Sequence, residues 1–376
     1  MNIIPTLQKR HKALERIMLN KGLDAALFVG NSCVGPLSYG CLRYFTDWRC
    51  YYHLQAFLMR PGKDPVMFVG SILHLQGLEE RGFKDIRLGA GILGNVLKDL
   101  TKDPVKKLGV CMDMIAADWY DAFRKELPDM ELAEISQDVY ELRADHDEEE
   151  VARIRKSALA ADAGYEAVLR TARPGVRMSD IHAELDYAMR MAGAEEVFSL
   201  ISNGRFRYGT NDLPCIKAFA YPDDRVIQPG DNIGMEITPR YGGYWTQLVR
   251  TVCIGEPDAD LVRAHEIQLK AMENSRKKLV CGVTLGEMLK DMWRFGKDLG
   301  FTPKLPFGHI LGLDLDEGGR GSLESDFVFR KNTSVVLHPT MTLEDMDYSI
   351  FWGDNYLVTE NGGERLNKCS TELIVL

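Results

Sequence analysis

At 376 residues the chain is long enough for two domains, and its composition, 45% hydrophobic and 27% charged, is that of an ordinary globular protein. A net charge of -9, with acidic residues spread along the chain, argues against a nucleic-acid surface, which needs a concentrated basic patch. No apolar run is long enough to span a bilayer, and Met1 to Pro5 lacks the basic-then-apolar pattern of an export signal, so no membrane partner and a cytoplasmic location are expected. The eight cysteines form no C-x-x-C pair and read as reduced thiols.

In chain order, Leu7, Leu14, Ile17 and Met18 recur with helical period over residues 7–21, and Gly22 stops that helix. Residues 24–30 predict a buried strand, and residues 42–46 a second. Residues 56–60 and 65–69, around Pro61-Gly62, predict a hairpin. Residues 107–110 predict another strand, and an amphipathic stretch surrounds Trp119, completing an α/β domain that ends near residue 140. The acidic run Asp145 to Glu150 reads as the solvated start of a long helix toward Arg170, broken by Pro174-Gly175. A second helix is expected over 178–192, with Ser179 and Asp180 placed to cap it. Strands follow at 198–202, 232–239 and 244–253, then helices near 261–279 and 285–299. The last strands fall at 334–337, 348–352 and 355–358. Helices followed by strands without a repeating βαβ unit predict an α+β domain.

Several segments of the second half carry polar groups at telling places. Glu236 lies mid-strand and shares a face with Gly234 and Thr238, which makes its carboxylate a candidate base or nucleophile. Gln247 follows eleven positions later. His309 lies in Phe307-Gly-His-Ile-Leu-Gly312, where glycines allow close backbone approach, and His338 precedes Pro339, which favours extended backbone. Both histidines are candidates for proton transfer or substrate binding. Arg205 and Arg207 are candidates to clamp a substrate carboxylate.

These segments resemble the creatinase/prolidase/methionine aminopeptidase superfamily, whose catalytic domain has the pita-bread fold. The resemblance rests on residues 143–161, on Gln228 to Thr251, on Phe307 to Leu313, on Val335-Val-Leu-His-Pro339 and on Gly353 to Gly362, in that order. The first half, with Leu42-Arg-Tyr-Phe-Thr46, is similar to the creatinase and aminopeptidase P type. The resemblance implies an α/β creatinase-like domain over residues 1–142 and an α+β pita-bread domain over 143–376. It also implies a homodimer, with the region of Arg43 and Trp48 offered to the neighbour. Arg43 and Asp354 therefore join the substrate-binding candidates, with Arg250 and Asp354 as supporting groups.

The resemblance implies two metal ions held by two aspartates, a histidine and two glutamates. On this chain those positions hold Glu236, Gln247, His309, His338 and Gly353, and a second family histidine falls on Asp316. One carboxylate, one amide and two imidazoles do not balance the four positive charges of two divalent ions. The expectation is therefore a hydrolase without a metal cofactor. Glu236, His309 and His338 would be catalytic, cleaving a C–N bond of a small amide, amidine or betaine-type metabolite. Creatine itself is not expected, because the glutamate of creatinase's Leu-Glu-Arg-Thr segment is Val249 here. Two alternatives stay open. One is an Xaa-Pro peptidase-like enzyme with a single residual metal on Glu236, His309 and His338. The other is an inactive binding protein on the peptidase fold.

Overall fold

The computed structural model describes residues 3–31, 39–49, 51, 54–203, 224–304, 308–317, 321–343 and 349–376. The chain divides into two compact units, Met1–Arg143 and Ala144–Leu376.

The first unit runs α1 (Pro5–Lys21), β1 (Ala25–Asn31), α2 (Gly40–Thr46), β2 (Leu54–Met59), β3 (Val66–Val69), α3 (Leu75–Glu80), β4 (Asp85–Leu88), α4 (Ile92–Lys102), β5 (Lys107–Val110), α5 (Ala117–Glu126), β6 (Glu131–Glu134) and α6 (Ser136–Arg143). Its six strands make one mixed sheet, ordered β4-β3-β2-β1-β5-β6. The hairpin expected around Pro61-Gly62 is the antiparallel pair β2 and β3. Alternate residues of β1, β2 and β3 (Leu27, Leu58, Phe68) pack under Val96 and Leu100 of α4 and Trp119 and Phe123 of α5.

Residues 42–46 form a helix, α2, and not the expected strand. Leu-Arg-Tyr-Phe-Thr favours strands by local propensity, but packing decides here. In the helix Phe45 lies 4.5 Å from Phe28 and stacks on Phe57 at 5.7 Å. Thr46 donates its hydroxyl to Leu42 O, and Asp47 closes the helix in the left-handed region.

The second unit runs α7 (Glu148–Thr171), α8 (Met178–Met191), β7 (Glu196–Asn203), β8 (Asn232–Tyr241), β9 (Tyr244–Trp245), β10 (Leu248–Cys253), α9 (Ala259–Arg276), α10 (Leu285–Asp298), β11 (Phe301–Lys304), β12 (Gly308–Ile310), β13 (Ser334–Leu337), β14 (Thr340–Leu343), β15 (Ser349–Phe351), β16 (Asp354–Thr359), β17 (Gly362–Arg365) and β18 (Ile374–Val375). The acidic run does start a helix. Asp147 accepts from the Glu149 and Glu150 amides, and the Glu150 carboxylate reaches back to the Asp147 amide, closing a capping box. Glu150 is not solvated as expected, because the buried Tyr244 hydroxyl donates to it. The cap expected at Ser179 or Asp180 is also displaced. Arg177 is the cap residue, and Asp180 pairs with the Arg177 guanidinium inside the first turn.

Two sheets frame the unit. β18-β10-β8-β7 form one, with β9 added beside β8, and β12-β13-β16-β17 form the other; β11, β14 and β15 make a small third sheet. Each large sheet has one face under helices. Ile233, Met235 and Ile237 of β8, with Leu248 and Val252 of β10, pack against Tyr165 and Val168 of α7 and Leu185 and Met189 of α8. Val335 and Leu337 of β13, with Tyr356 and Val358 of β16, pack against Ala271 and Met272 of α9 and Leu289 and Met292 of α10. Each such fully buried side chain contributes about 1.5–3 kcal/mol.

The two sheets join where Val249 and Gly353 exchange backbone hydrogen bonds, each 3.0 Å. Arg250 secures that junction. Its Nη1 donates to Val249 O and Gly353 O, both at 2.8 Å, and its Nη2 donates to Asp354 Oδ1 at 2.7 Å. The guanidinium lies 4.5 Å from the Trp352 ring, and Arg365 adds a second cation 3.1 Å from Asp354. Replacing Arg250 with Met takes one of two cations from the buried Asp354 carboxylate and one of two donors from each of the Val249 and Gly353 carbonyls. Chemical denaturation of Arg250→Met should show a loss of about 3–5 kcal/mol; a loss below about 1 kcal/mol would show that the junction holds without the guanidinium.

Candidate active site

Strand register assembles the site. In β8 the odd residues 233, 235 and 237 face the helices, so Gly234, Glu236 and Thr238 face the other way. Pairs across the sheet extend this face in rows. Glu236 lies opposite Leu200 on one side and Val249 on the other, and Val249 is bridged to Gly353. In the next row Phe198 lies opposite Thr238, and the same antiparallel register sets Gln247 opposite Thr238. One row further, Glu196, Arg240 and Trp245 lie abreast.

On the second sheet Leu337 pairs with Asp354, so the next position, His338, stands beside Gly353. His309 of β12 pairs with Val336, two residues before His338 and on the same face. Glu236, Gln247, His309, His338 and Gly353 therefore share the face turned away from the helices. His309 is in a strand, β12. The glycine before it does permit close approach: a Cβ at Gly308 would lie 2.2 Å from Val336 O.

The electrostatics are those of a nearly neutral surface. Glu236 is half-buried, and loss of hydration pushes its carboxyl up to about 7. His338 is 5% exposed, and among the described residues neither of its ring nitrogens has a hydrogen-bond partner. Burial, and then the neighbouring His309, push its imidazole down to about 3. Burial also lowers His309, against the opposing pull of Asp316 and the Ile310 carbonyl. The two rings stand edge to face with centroids 5.2 Å apart. Both are neutral near pH 7, the form that can donate, accept or ligate.

The sequence pattern of metallopeptidase family M24 matches residues 152–360, and that of the creatinase/prolidase N-terminal domain matches residues 10–144. The chain belongs to metallopeptidase family M24. It is 23% identical over 365 residues to the uncharacterized peptidase YqhT of Bacillus subtilis, covering 94% of this chain and 96% of that protein. It is 25% identical over 256 residues to an Xaa-Pro dipeptidase of Pyrococcus furiosus, covering 67% and 71% of the two chains. Its fold matches the solved Xaa-Pro dipeptidase from Bacillus anthracis with a TM-score of 0.83, at 23% identity over 98% of this chain and 100% of that one. The prolidase of Pyrococcus horikoshii matches with the same score at 21% identity, over 96% and 99%.

The two-ion centre implied by the resemblance to M24 enzymes does not fit the residues present. Among the described residues no group of three or more His, Cys, Asp or Glu is placed to hold a metal ion. Gly353 brings no ligand, and a Cβ there would lie 2.6 Å from His338 Cβ and 2.7 Å from Leu337 O. A carboxylate at 353 beside the present His338 is therefore sterically barred.

Other expected site residues lie elsewhere. Asp354 is turned to the helix side, and its carboxylate is taken up by Arg250 and Arg365, so it positions Gly353 and does not face the site. Arg43 is on α2 and 5% exposed, buried in the first unit rather than displayed. Trp48 is held there by a 3.0 Å hydrogen bond to His74 Nδ1 and by the Arg81 guanidinium. Arg205 and Arg207 lie outside the described residues. Ser202 and Trp245, which had drawn no assignment, do face the site. Their signal in the sequence is the period of two that relates Trp245 to Gln247 and Ser202 to Leu200.

Charge leaves a measurable mark on stability. A carboxyl at about 7 when folded and near 4.5 when unfolded holds its proton more tightly in the folded chain. Its contribution is complete below about pH 4.5 and is lost as pH rises through about 7. His338, near 3 when folded and 6.5 when unfolded, acts oppositely, costing stability as pH falls below 6.5. The two oppose each other between about pH 4.5 and 6.5, and Glu236 dominates just above. Thermal unfolding followed from pH 6 to 8 should therefore show a decline in the wild type that flattens in Glu236→Gln; parallel curves would place the Glu236 proton outside this range.

Proposed function

We propose that this chain is an Xaa-Pro peptidase-like hydrolase that cleaves an amide C–N bond in a small substrate of dipeptide size. Membership of the family and relatives named as dipeptidases and peptidases support the reaction class. The observation that carries the residue assignment is the register that puts Glu236 on one face with the two imidazoles. The narrower expectation of an amidine or betaine substrate draws no support from these relatives.

Glu236, with its carboxyl near 7, exchanges a proton at neutral pH. As carboxylate it takes a proton from water while the oxygen attacks the carbonyl carbon. The neutral imidazole of His338 supplies an N–H donor for the oxyanion that forms, whereas His309, whose Nδ1–H is turned to the Ile310 carbonyl at 3.3 Å, presents Nε2 as an acceptor. When the intermediate collapses, the C–N bond breaks and the Glu236 carboxyl gives its proton to the leaving nitrogen. Water has then been added across the bond, and the carboxylate is restored.

A second reading is favoured by one observation. His309 and His338 are both held neutral, with ring centroids 5.2 Å apart, and His338 has no nitrogen committed to a partner among the described residues. Such a pair is suited to one borderline cation such as zinc, which would polarise the substrate carbonyl. In this version the imidazoles would hold the ion and Glu236 would keep its proton-transfer role. The superfamily resemblance also supports a homodimer, for which sedimentation would give the mass of two chains.

Purified protein should hydrolyse members of a panel of Xaa-Pro dipeptides, other dipeptides and small amides. Glu236→Gln should lower turnover by about 10²–10⁴. Elemental analysis, with activity measured before and after a chelator and after return of single divalent ions, separates the two readings: chelator-resistant turnover supports the first and ion-dependent turnover the second. Unchanged turnover in Glu236→Gln would refute the mechanism in both forms. No turnover of any panel member, with or without added ions, would refute the enzyme reading itself.

A further inference from the structure

Beside Glu236 the same face carries three buried polar atoms whose partners are missing. Thr238 is fully buried, and Trp245 and Gln247 are each 2% exposed; among the described residues Thr238 Oγ1, Trp245 Nε1 and Gln247 Oε1 find no hydrogen-bond partner. Leaving such an atom unsatisfied costs about 1–3 kcal/mol. These three are neighbours: Gln247 is opposite Thr238, and Trp245 is two residues before Gln247 on the same face. Their chemistry is complementary. The indole N–H can only donate, the amide oxygen can only accept, and the hydroxyl does either.

The backbone around them is fixed. The Gln247 amide donates to Asn355 Oδ1 at 3.3 Å, and the Trp245 amide to Gly312 O at 2.7 Å. The Arg240 guanidinium lies 5.1 Å from the Trp245 ring, but it is already committed to Glu196, Gly243 O and Leu313 O. Phe198, Leu311 and Val336 pack with Trp245 as an apolar wall. Neither Thr238, Trp245 nor Gln247 carries a charge.

We propose that Thr238, Trp245 and Gln247 form a recognition site for an uncharged amide, with Trp245 Nε1–H donating to its carbonyl oxygen and Gln247 Oε1 accepting from its N–H. Thr238 Oγ completes whichever end remains. This names the substrate class of the proposed hydrolase and rests on that reading. It predicts that a ligand without formal charge at this point is preferred to a zwitterionic dipeptide, because a buried ion would find no counter-charge among these three groups. A site built from hydrogen-bonding groups also discriminates strongly against analogues that leave them unpaired.

Binding, not turnover, tests it. N-acetyl-alanyl-prolinamide and alanyl-proline would be titrated into the full chain by calorimetry and tryptophan fluorescence, in wild type and in Glu236→Gln. The blocked amide should bind at least about 10-fold tighter than the zwitterion, and Thr238→Val and Gln247→Met should each weaken it by about 10-fold. Both substitutions should leave the ligand-free melting temperature unchanged or raised, since each removes an unpaired buried group; a purely packing role for these residues would lower it. Tighter binding of the zwitterion, unaltered binding in both variants, or no saturable binding of the blocked amide to folded wild type would each overturn the proposal. Variant-sensitive binding to a protein that hydrolyses nothing would keep the recognition site and discard the hydrolase. Turnover with variant-insensitive binding would do the reverse.

Discussion

Arg250 carries a charge into the interior of the second unit, where it bonds backbone on both sides of a seam. It binds the carbonyls of Val249 and Gly353, the two residues whose mutual hydrogen bonds connect the sheets. Each sheet has its own helix cover and its own large apolar core, and Trp245, Leu311 and Val336 form a smaller apolar contact between the sheets. Side chains alternate with a period of two along a strand, and a slip of one residue at the seam would turn one whole row the wrong way. A guanidinium with a fixed fork, paired with Asp354 and lying over Trp352, opposes that slip. The row from Glu236 through Val249 and Gly353 to His338 exists because this register is held.

Charge is the second constraint. A pair of divalent ions would need several carboxylates on the face away from the helices. The family positions supply one, Glu236, and even that carboxyl is pushed to about 7 by burial. With both imidazoles neutral, the described groups of the site carry little net charge near pH 7. Proton transfer and hydrogen bonding then become the chemistry of the face. The uncharged row beside Glu236 follows the same logic, since Gln247 stands where the resemblance implies an acid.

Much of this was legible in the sequence because it depends on local period. The alternation of Ile233, Met235 and Ile237 with Gly234, Glu236 and Thr238 gives the two faces of β8 directly. What failed was packing-determined. Residues 42–46 have strand-like side chains, yet Phe45 earns more contact in a helix against Phe28 and Phe57. Asp354 matches a position of the family and was expected at the site on that ground, but it follows Gly353 on a strand, and adjacent residues of a strand point to opposite faces. Trp245 had no motif to announce it. Its role depends on which strand lies beside it and on the absence of an acceptor for its N–H, both properties of the assembled sheet.

His338 and Gly353 are tied together by backbone geometry. They stand side by side on neighbouring strands, and the space a side chain at 353 would need is taken by His338 Cβ and the Leu337 carbonyl. A well-packed region accepts a large residue opposite a small one more readily than two large ones. The His338 and Phe351 rings stand edge to face with centroids 5.3 Å apart. The blocking atoms, a Cβ at 338 and the Leu337 carbonyl, are present with any residue other than glycine at 338, so this backbone excludes a side chain at 353 whichever group position 338 carries. Position 353 thus brings no ligand to the face because the seam that Arg250 holds closed leaves no room for one.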